Sequence, residues 1–255
     1  MKEYKKRFAE IMAQTGSIFF AEGLKLKDGR PTPYFVNMGK FRSGRLNYEL
    51  GSLIADMMEA AGYTDRIDVV VGPSYKGSAI ANATVNALWL KYGKDVLFDY
   101  DRKEAKTHGD SSGRKNLFVN GCLDEDRKVF IVDDVGTSMA TKYELLDKIG
   151  DHAREMGVSI EVVSIGLGVD REQTSAVYDS AGQVILNRKG DDAIGDFVKK
   201  TGIPVICLAG IREIVEHLYV EKIPVLVNGA FTPLDASIKA LFDDYQEIYG
   251  TEGIV

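Results

Sequence analysis

The chain has 255 residues, of which 45% are hydrophobic, and its 32 Lys and Arg against 38 Asp and Glu give a formal net charge of −6. This composition is typical of a folded globular protein and excludes a disordered chain or one with an overall attraction to nucleic acid or anionic membranes. The two cysteines, Cys122 and Cys207, lie far apart in sequence, which excludes a disulfide scaffold and a CxxC metal site.

No apolar run reaches the ~18–20 residues that a membrane span needs. The N-terminal residues alternate charged side chains with Phe8, Ile11 and Met12 at helical spacing, and they lack the apolar stretch of a signal peptide. We therefore expect a soluble, cytoplasmic protein without a membrane or nucleic-acid partner.

Taken in chain order, the sequence alternates short apolar runs with segments of helical periodicity. Two helices are predicted before the first strand, at 2–15 and 46–61. Apolar runs rich in β-branched residues then predict five strands, at 67–72, 94–100, 128–134, 161–169 and 204–210. Helical patterns lie between and after them, at 77–91, 139–156, 190–201, 210–220 and 233–249. This alternation predicts an α/β fold with a mostly parallel sheet flanked by helices.

Three segments do not follow the alternation. Residues 23–41 contain a turn at Asp28-Gly29 and two prolines, which favours a hairpin outside the main sheet. Residues 102–117 are polar and basic, and we interpret them as a long exposed loop, which in a compact domain is often a functional lid. Residues 170–192 show no regular pattern.

The domain organisation is predicted to be simple. The sequence has no internal repeat, low-complexity tract or clear interdomain linker. Residues 1–255 are therefore expected to form a single domain, in which residues 1–45 contribute a small N-terminal cap and residues 221–255 a C-terminal extension.

The strongest functional pattern is VFIVDDVGTSMATKYELL at 129–146, where an apolar strand ends in Asp133 and Asp134 and a Gly/Thr/Ser turn opens a helix. Ligands of open parallel sheets bind beyond the carboxyl ends of the strands, and the free amides of a helix N-terminus favour a phosphate there. Two carboxylates beside a phosphate make sense if the ligand also presents sugar hydroxyls or Mg²⁺. The pattern indicates a sugar phosphate; the alternative is that the two acids only cap the helix or stay solvated.

Four segments, in the same order along the chain, resemble one family. The strand–DD–turn–helix segment is similar to the phosphoribosyl-diphosphate (PRPP) signature of type I phosphoribosyltransferases. LKDGRPTPYFVNMG (26–39), GPSYKGSAIANATVNAL (72–88) and DRKEAKTHGD (101–110) resemble the orotate-side hairpin, the GPxYKG turn and the mobile RKExKxHG loop of orotate phosphoribosyltransferases. The resemblance implies the type I phosphoribosyltransferase fold. It also implies transfer of the phosphoribosyl group of PRPP to orotate, with Mg²⁺ required and held mainly by ligand and water.

The resemblance also implies roles for individual residues. PRPP is expected to contact the two acids and the turn after them, namely Asp133, Asp134, Val135, Gly136, Thr137, Ser138, Met139, Ala140 and Thr141. Its diphosphate is expected at Tyr75 and Lys76, with Lys27 nearby. Orotate, a planar carboxylate that suits an apolar wall and a bidentate cation, is expected to contact Lys27, Phe35, Val36, Thr137 and Arg171.

The predicted loop supplies the remaining candidate catalytic residues, Arg102, Lys103, Lys106 and His108. Cations held at a diphosphate leaving group lower the barrier to its departure, and a closing lid excludes water. In the family this loop reaches the neighbouring subunit, so the resemblance implies a homodimer in which Arg102, Lys106 and His108 act in trans and Lys103 acts within its own subunit. His108 is either a proton donor or only a hydrogen-bond donor, and the charge run could also be a solvated surface.

The turn departs from the family pattern at one position. Met139 stands where family members usually have glycine, which accepts the positive φ that methionine resists. Either the turn is reshaped around Gly136 or phosphate binding is weakened. A phosphoribosyltransferase for another base and a non-catalytic PRPP- or nucleotide-sensing protein therefore stay open. Extra sequence relative to compact family members lies at 172–190 and after 221.

Overall fold

The computed structural model describes residues 1–106, 116–136, 138–251 and 253. The helices within these residues are α1 (Glu3–Thr15), α2 (Gly44–Ala60), α3 (Lys76–Tyr92), α4 (Ala140–Met156), α5 (Ala193–Thr201), α6 (Ile211–Val220) and α7 (Ala236–Tyr249). The strands are β1 (Ile18–Phe20), β2 (Tyr34–Val36), β3 (Val69–Gly72), β4 (Leu97–Lys106), β5 (Asn116–Phe118), β6 (Arg127–Gly136), β7 (Ile160–Asp170), β8 (Val205–Gly210), β9 (Val225–Val227) and β10 (Ala230–Thr232). None of these helices has the length and apolarity needed to cross a membrane.

The larger sheet has the strand order β5-β4-β3-β6-β7-β8, and all neighbours pair in parallel except β5, which is antiparallel to β4. Helices cover both faces, and the middle residues of its central strands are accordingly mostly apolar. On β3, Val70 packs in the core that includes α1, α2 and α3, whereas Val69 and Val71 pack on the opposite side with residues of α4 and α5. The carboxyl ends of β3, β6 and β7 therefore meet at one edge of the sheet.

The smaller sheet has the order β10-β9-β1-β2 and joins the two ends of the chain. β1 pairs antiparallel with β2 and parallel with β9, and β10 returns antiparallel to β9. Helix α7 packs against this sheet through Phe242 and Tyr245, whose rings lie 5.4 and 5.8 Å from the ring of Tyr34. Strands from within residues 1–45 and from beyond residue 221 thus form a single structural layer.

The structure confirms the predicted α/β class and its mostly parallel sheet. The predicted exposed loop at 102–117 is wrong at both ends, because β4 continues to Lys106 and β5 begins at Asn116. These two strands pair antiparallel at the sheet edge, with Asp101 opposite Phe118. An edge pair is held by backbone hydrogen bonds and needs little apolar burial, so a polar sequence can occupy it. Residues 107–115 lie outside the described residues.

Candidate active site

The GPSYKG segment forms a tight turn between β3 and α3. A Cβ on Gly72 would lie 1.9 Å from the carbonyl oxygen of Gly77, and a Cβ on Gly77 would lie 2.5 Å from the Pro73 ring, so both positions require glycine. The turn leaves Tyr75 74% exposed. It also places the Nζ of Lys76 at 2.7 Å from Asp134 Oδ2, at the end of β6. Both residues predicted in this turn therefore lie at the edge that carries the paired acids.

The two acids occupy different environments. Asp133 is buried, and its Oδ2 accepts a hydrogen bond from the Nζ of buried Lys142 at 2.5 Å, while its Oδ1 accepts one from the Asp134 amide at 2.9 Å. Burial raises the pKa of the Asp133 carboxyl, and the charge of Lys142 offsets part of that shift. Asp133 is thus a fixed, buried acceptor next to a more accessible Asp134.

The Lys76–Asp134 pair is an exposed one, since 58% of the Lys76 side chain is open to solvent. Exposed ion pairs contribute only about 0–1 kcal/mol to stability, so an anionic ligand can displace the carboxylate from Lys76 at little cost. The pair is therefore compatible with diphosphate binding at Lys76 and with hydroxyl binding at Asp134.

Lys142 is a residue that the sequence analysis missed. It lies in the first turn of α4, and its Nζ also donates to the Val135 carbonyl at 3.2 Å. A lysine in the first turn of a helix is usually solvated, so nothing in the local pattern marks this one as the buried partner of Asp133. Its position nine residues after the acid, on the helix that follows, is the only signal that could have suggested the contact.

Asp101 ties β4 to the GPSYKG turn, and this contact was also missed. Its Oδ1 accepts a hydrogen bond from the Ser74 amide at 2.7 Å, and its carboxylate pairs with Lys148 of α4. Lys148 also donates to the carbonyl of Arg102 at 3.0 Å. The end of β4, from which the predicted basic loop continues, is therefore fixed to both neighbouring elements.

The turn between β6 and α4, called the phosphate turn below, is the one that we predict to bind phosphate. Its residue Met139, where the family usually has glycine, has a left-handed backbone conformation. Met139, directly before α4, has φ 57°, and its side chain is buried in the core on the α4 side of the sheet. A Cβ on Gly136 would lie 2.6 Å from the Leu167 side chain, so packing against β7 requires glycine at that position. A left-handed methionine costs on the order of 1–2 kcal/mol. The exposed Ser138, Ala140 and Thr141 surround a helix N-terminus whose first amides have no intrahelical partner.

A cavity of about 590 Å³ connects this turn to the base-side residues. Gly136 and Ser138 line it together with Lys27, Phe35 and Arg171. Further lining comes from the hairpin before β2 and from the segment after β7, namely Leu26, Asp28, Arg30, Gln173, Thr174, Ser175, Ala176 and Tyr178. The structure therefore brings together three of the base-side residues predicted from the sequence.

Arg171 contributes one of the charged side chains of this cavity, beside Lys27, Asp28 and Arg30. Its guanidinium lies 5.4 Å from the centre of the Tyr34 ring and 6.0 Å from that of Phe35. Its Nε and Nη2 are buried and have no hydrogen-bond partner within the part of the chain that the structure describes. Donor nitrogens that are buried without an acceptor are costly, so the arrangement fits an anionic ligand that accepts from Nε and Nη2.

The other predicted residues are placed as follows. Val36 packs against the main core and is not among the residues that line the cavity. The Nζ of Lys103 lies 4.4 Å from the centre of the Tyr75 ring, and Arg102 follows Asp101 on β4. Only the backbone of Lys106 is described, in β4, while His108 and Thr137 lie outside the described residues.

Comparison with known proteins gives a consistent family. Residues 44–172 match the phosphoribosyl transferase domain. The chain is 32% identical over 252 residues to the orotate phosphoribosyltransferase of Clostridium botulinum (strain Alaska E43 / Type E3), covering 99% of this chain and 100% of that relative. It is also similar to the crystal structure of the orotate phosphoribosyltransferase of Francisella tularensis, with a TM-score of 0.72, 25% identity, and coverage of 96% of this chain and 100% of that one.

A third comparison concerns the fold alone. The orotate phosphoribosyltransferase of Mycobacterium tuberculosis matches with a TM-score of 0.58 at 20% identity, over 83% of this chain and 98% of that chain. The additional length is thus shared with the Clostridium relative but not with this shorter protein. The comparisons point to the same family as Asp133 and Asp134 on the larger sheet and the GPSYKG turn between β3 and α3. The chain belongs to the orotate phosphoribosyltransferase family.

Proposed function

We propose that this protein transfers the 5-phosphoribosyl group of PRPP to N1 of orotate, giving orotidine 5′-monophosphate and diphosphate in pyrimidine biosynthesis. The observation that carries the proposal is the cavity in which Arg171 lies with Lys27 and Phe35, beside the turn before α4. The Nε and Nη2 of Arg171 have no hydrogen-bond partner among the described residues. A base without a carboxylate would leave these two nitrogens without an acceptor, whereas orotate supplies one.

PRPP is proposed to bind along the edge of the larger sheet. The amides at the start of α4 would hold the 5′-phosphate, because that helix end is polar, exposed and positively polarised. Asp134, which is partly exposed, would accept hydrogen bonds from the ribose hydroxyls. Asp133, which is buried beside Lys142, would act as a second, fixed acceptor for these hydroxyls. Lys76 would exchange its ion pair with Asp134 for the diphosphate.

The transfer itself would be a nucleophilic substitution at the anomeric carbon of PRPP, in which orotate displaces diphosphate. The bond from this carbon to the diphosphate oxygen breaks, and its electron pair leaves with diphosphate. N1 of orotate forms the new bond, and the proton that N1 carried passes to diphosphate or to water. Lys76 and Lys103 would neutralise charge on the leaving group, since cations fixed at a site of developing charge lower the barrier. We propose that Arg102, Lys106 and His108 act on the same group from the partner subunit of a cytoplasmic homodimer.

Mg²⁺ would accompany PRPP. Within the described residues, no group of three or more His, Cys, Asp or Glu side chains could hold a metal ion, so an ion held mainly by substrate oxygens and water is the arrangement that fits. The partly exposed carboxylate of Asp134 would hold it through water. When bound, the ion would supply electrostatic neutralisation of the departing diphosphate.

The two alternative functions have less support. In a phosphoribosyltransferase for another base, a base without a carboxylate would supply no anionic acceptor to the Nε and Nη2 of Arg171, which have no hydrogen-bond partner within the described ranges. The departure at Met139 is the main support for a non-catalytic PRPP- or nucleotide-sensing protein, but this residue adopts a left-handed conformation that glycine also adopts.

The test is a direct assay. Purified protein with PRPP, Mg²⁺ and orotate should consume orotate, measured as the loss of its ultraviolet absorbance, and chelation of Mg²⁺ should stop the reaction. Uracil, adenine and hypoxanthine serve as competing bases and should not inhibit at concentrations near the KM for orotate. Preferential use of one of these bases, or no turnover with any of them, would contradict the proposal.

A further inference from the structure

The wall of the base cavity includes a segment to which the sequence analysis assigned no function. Gln173, Thr174, Ser175 and Ala176 directly follow β7 and line the cavity that also contains Arg171. Because a ligand in that cavity contacts whatever lines it, this segment is positioned to influence which base is accepted.

The C-terminal residues hold this segment in place. The backbone amide and the hydroxyl of Thr174 both donate to the Tyr249 carbonyl, at 2.8 and 3.0 Å, and the Thr251 amide donates to the Glu172 carbonyl at 2.9 Å. On the other side, the guanidinium of buried Arg30 donates to the Thr174 carbonyl at 2.9 Å. The backbone of the wall is therefore fixed from two directions, one of them the end of α7.

One side chain of α7 also orients a side chain of the wall. The Tyr245 hydroxyl donates to Gln173 Oε1 at 2.8 Å. Tyr245 is buried, and burial raises the pKa of its phenol, so the hydroxyl remains protonated and able to donate. Because this bond uses Oε1, the amide NH₂ is the group that Gln173 can offer to a ligand.

We propose that Gln173 is a specificity-determining residue whose amide NH₂ donates to a ring carbonyl oxygen of the pyrimidine, with Tyr245 as its positioning residue. This inference rests on the proposed function, in which Arg171 takes the carboxylate of the same ring. Arg171 then selects for the acid and Gln173 for the carbonyl. A ring that presents an amino group at that position is rejected because two donors face each other.

The experiment compares orotate kinetics of the wild type with those of Gln173→Met and Tyr245→Phe. Gln173→Met keeps the length of the side chain and removes the donor, so the KM for orotate should rise about 5- to 10-fold, as expected for one hydrogen bond. Tyr245→Phe should raise it about 2- to 3-fold, because the amide is retained but no longer held. The double variant should be no worse than Gln173→Met, and the KM for PRPP should stay unchanged in all three.

Two matched controls separate this role from general damage. Gln183→Met changes an exposed glutamine in the same segment, and Tyr48→Phe removes the hydroxyl of an exposed tyrosine of α2, away from the cavity. Both should leave the KM for orotate within about twofold of the wild type. Additive effects in the double variant, or equal effects in the controls, would contradict the inference.

A substrate-analogue series adds a readout that a purely structural role would not move. Sulfur is a poorer hydrogen-bond acceptor than oxygen. One of the two analogues, 2-thio-orotate or 4-thio-orotate, should therefore inhibit the wild type with a Ki well above the KM for orotate. In Gln173→Met the ratio of this Ki to the KM should no longer be raised. If the wild type turns over orotate but has the same ratios of Ki to KM as Gln173→Met for both analogues, the inference about Gln173 is wrong and the proposed function stands. Wild type that does not turn over orotate overturns the proposed function.

Discussion

The two sheets contribute different parts of the candidate site. The larger sheet brings Asp133, Asp134 and the glycine turn together because they follow neighbouring parallel strands. The smaller sheet is built from both ends of the chain and, with its hairpin, contributes Lys27 and Phe35 to the base cavity. We infer that the larger sheet recognises the sugar phosphate and, through Arg171 directly after β7, the carboxylate of the base, whereas the smaller sheet with α7 forms the rest of the base cavity. Changes confined to α4 and α5 are therefore expected to affect PRPP, and changes in the smaller sheet or α7 to affect the base.

The largest expected effect tests this separation with two matched core substitutions. Phe242 of α7 and Phe197 of α5 are both almost fully buried, so truncation of either to Ala should lower the free energy of unfolding by about 3–5 kcal/mol. Phe242 contacts Tyr34, which lies beneath Arg171, whereas Phe197 contacts Tyr143 of α4. Phe242→Ala should thus raise the KM for orotate and Phe197→Ala the KM for PRPP, measured by denaturation and steady-state kinetics.

The milder Phe→Leu changes at the same two positions keep this comparison measurable if the Ala variants fail to fold. Equal changes in both KM values for both variants would show that the two regions do not act separately.

A comparable loss of stability is expected within the larger sheet from Lys142→Met, which leaves Asp133 buried without its cation. The free energy of unfolding should fall by about 3–5 kcal/mol at pH 7. Burial already raises the pKa of Asp133 above its ordinary value of 3.8, and loss of Lys142 raises it further. The folded carboxyl then binds a proton more tightly than the unfolded one, so the deficit should shrink as the pH falls from 7 toward 4.

Urea denaturation at several pH values measures this effect. Asp133→Asn in the same chain should restore most of the lost stability, and Lys199→Met, at an exposed lysine of α5, serves as the control. A deficit that does not change with pH would mean that Lys142 acts through packing and not through its charge.

The same contrast explains what the sequence could and could not predict. The strands of the larger sheet are continuous apolar runs, and the acids directly follow one of them, so both could be located from local pattern. β1, β9 and β10 have three residues each, which is too few to show a periodic pattern, and β1 pairs with β9 more than 200 residues further along the chain. The Lys142–Asp133 and Tyr245–Gln173 contacts depend on how packed elements face each other, which no local pattern specifies.

The third prediction concerns Arg171, in the cavity between the two sheets. One substitution there should weaken orotate binding without lowering the stability of the protein. Arg171→Met should raise the KM for orotate about 100-fold, because a charge-assisted, bidentate contact is lost. It should leave the thermal unfolding temperature unchanged or raise it, because two buried donor nitrogens that lack a partner among the described residues are removed. Arg188→Met, at an exposed arginine of the same segment, should change neither. A destabilised variant with an unchanged KM would mean that Arg171 is a structural residue.

The smallest effect is expected at the phosphate turn. Met139→Gly removes the left-handed strain but also a buried side chain, so the net loss of stability should be about 1–3 kcal/mol. Since the backbone conformation is one that glycine also adopts, the Kd for PRPP, measured by calorimetry, should stay within about twofold of the wild type. Binding tenfold tighter would show that methionine at this position weakens phosphate binding.

The central claim, that one product molecule bridges the two sheets, is tested most directly by a crystal structure with orotidine 5′-monophosphate bound. We predict the 5′-phosphate at the amides that open α4, the ribose hydroxyls at Asp134 and the base carboxylate on the guanidinium of Arg171. A product whose carboxylate lies away from Arg171, or whose phosphate lies away from the turn at Ser138 and Met139, would contradict it.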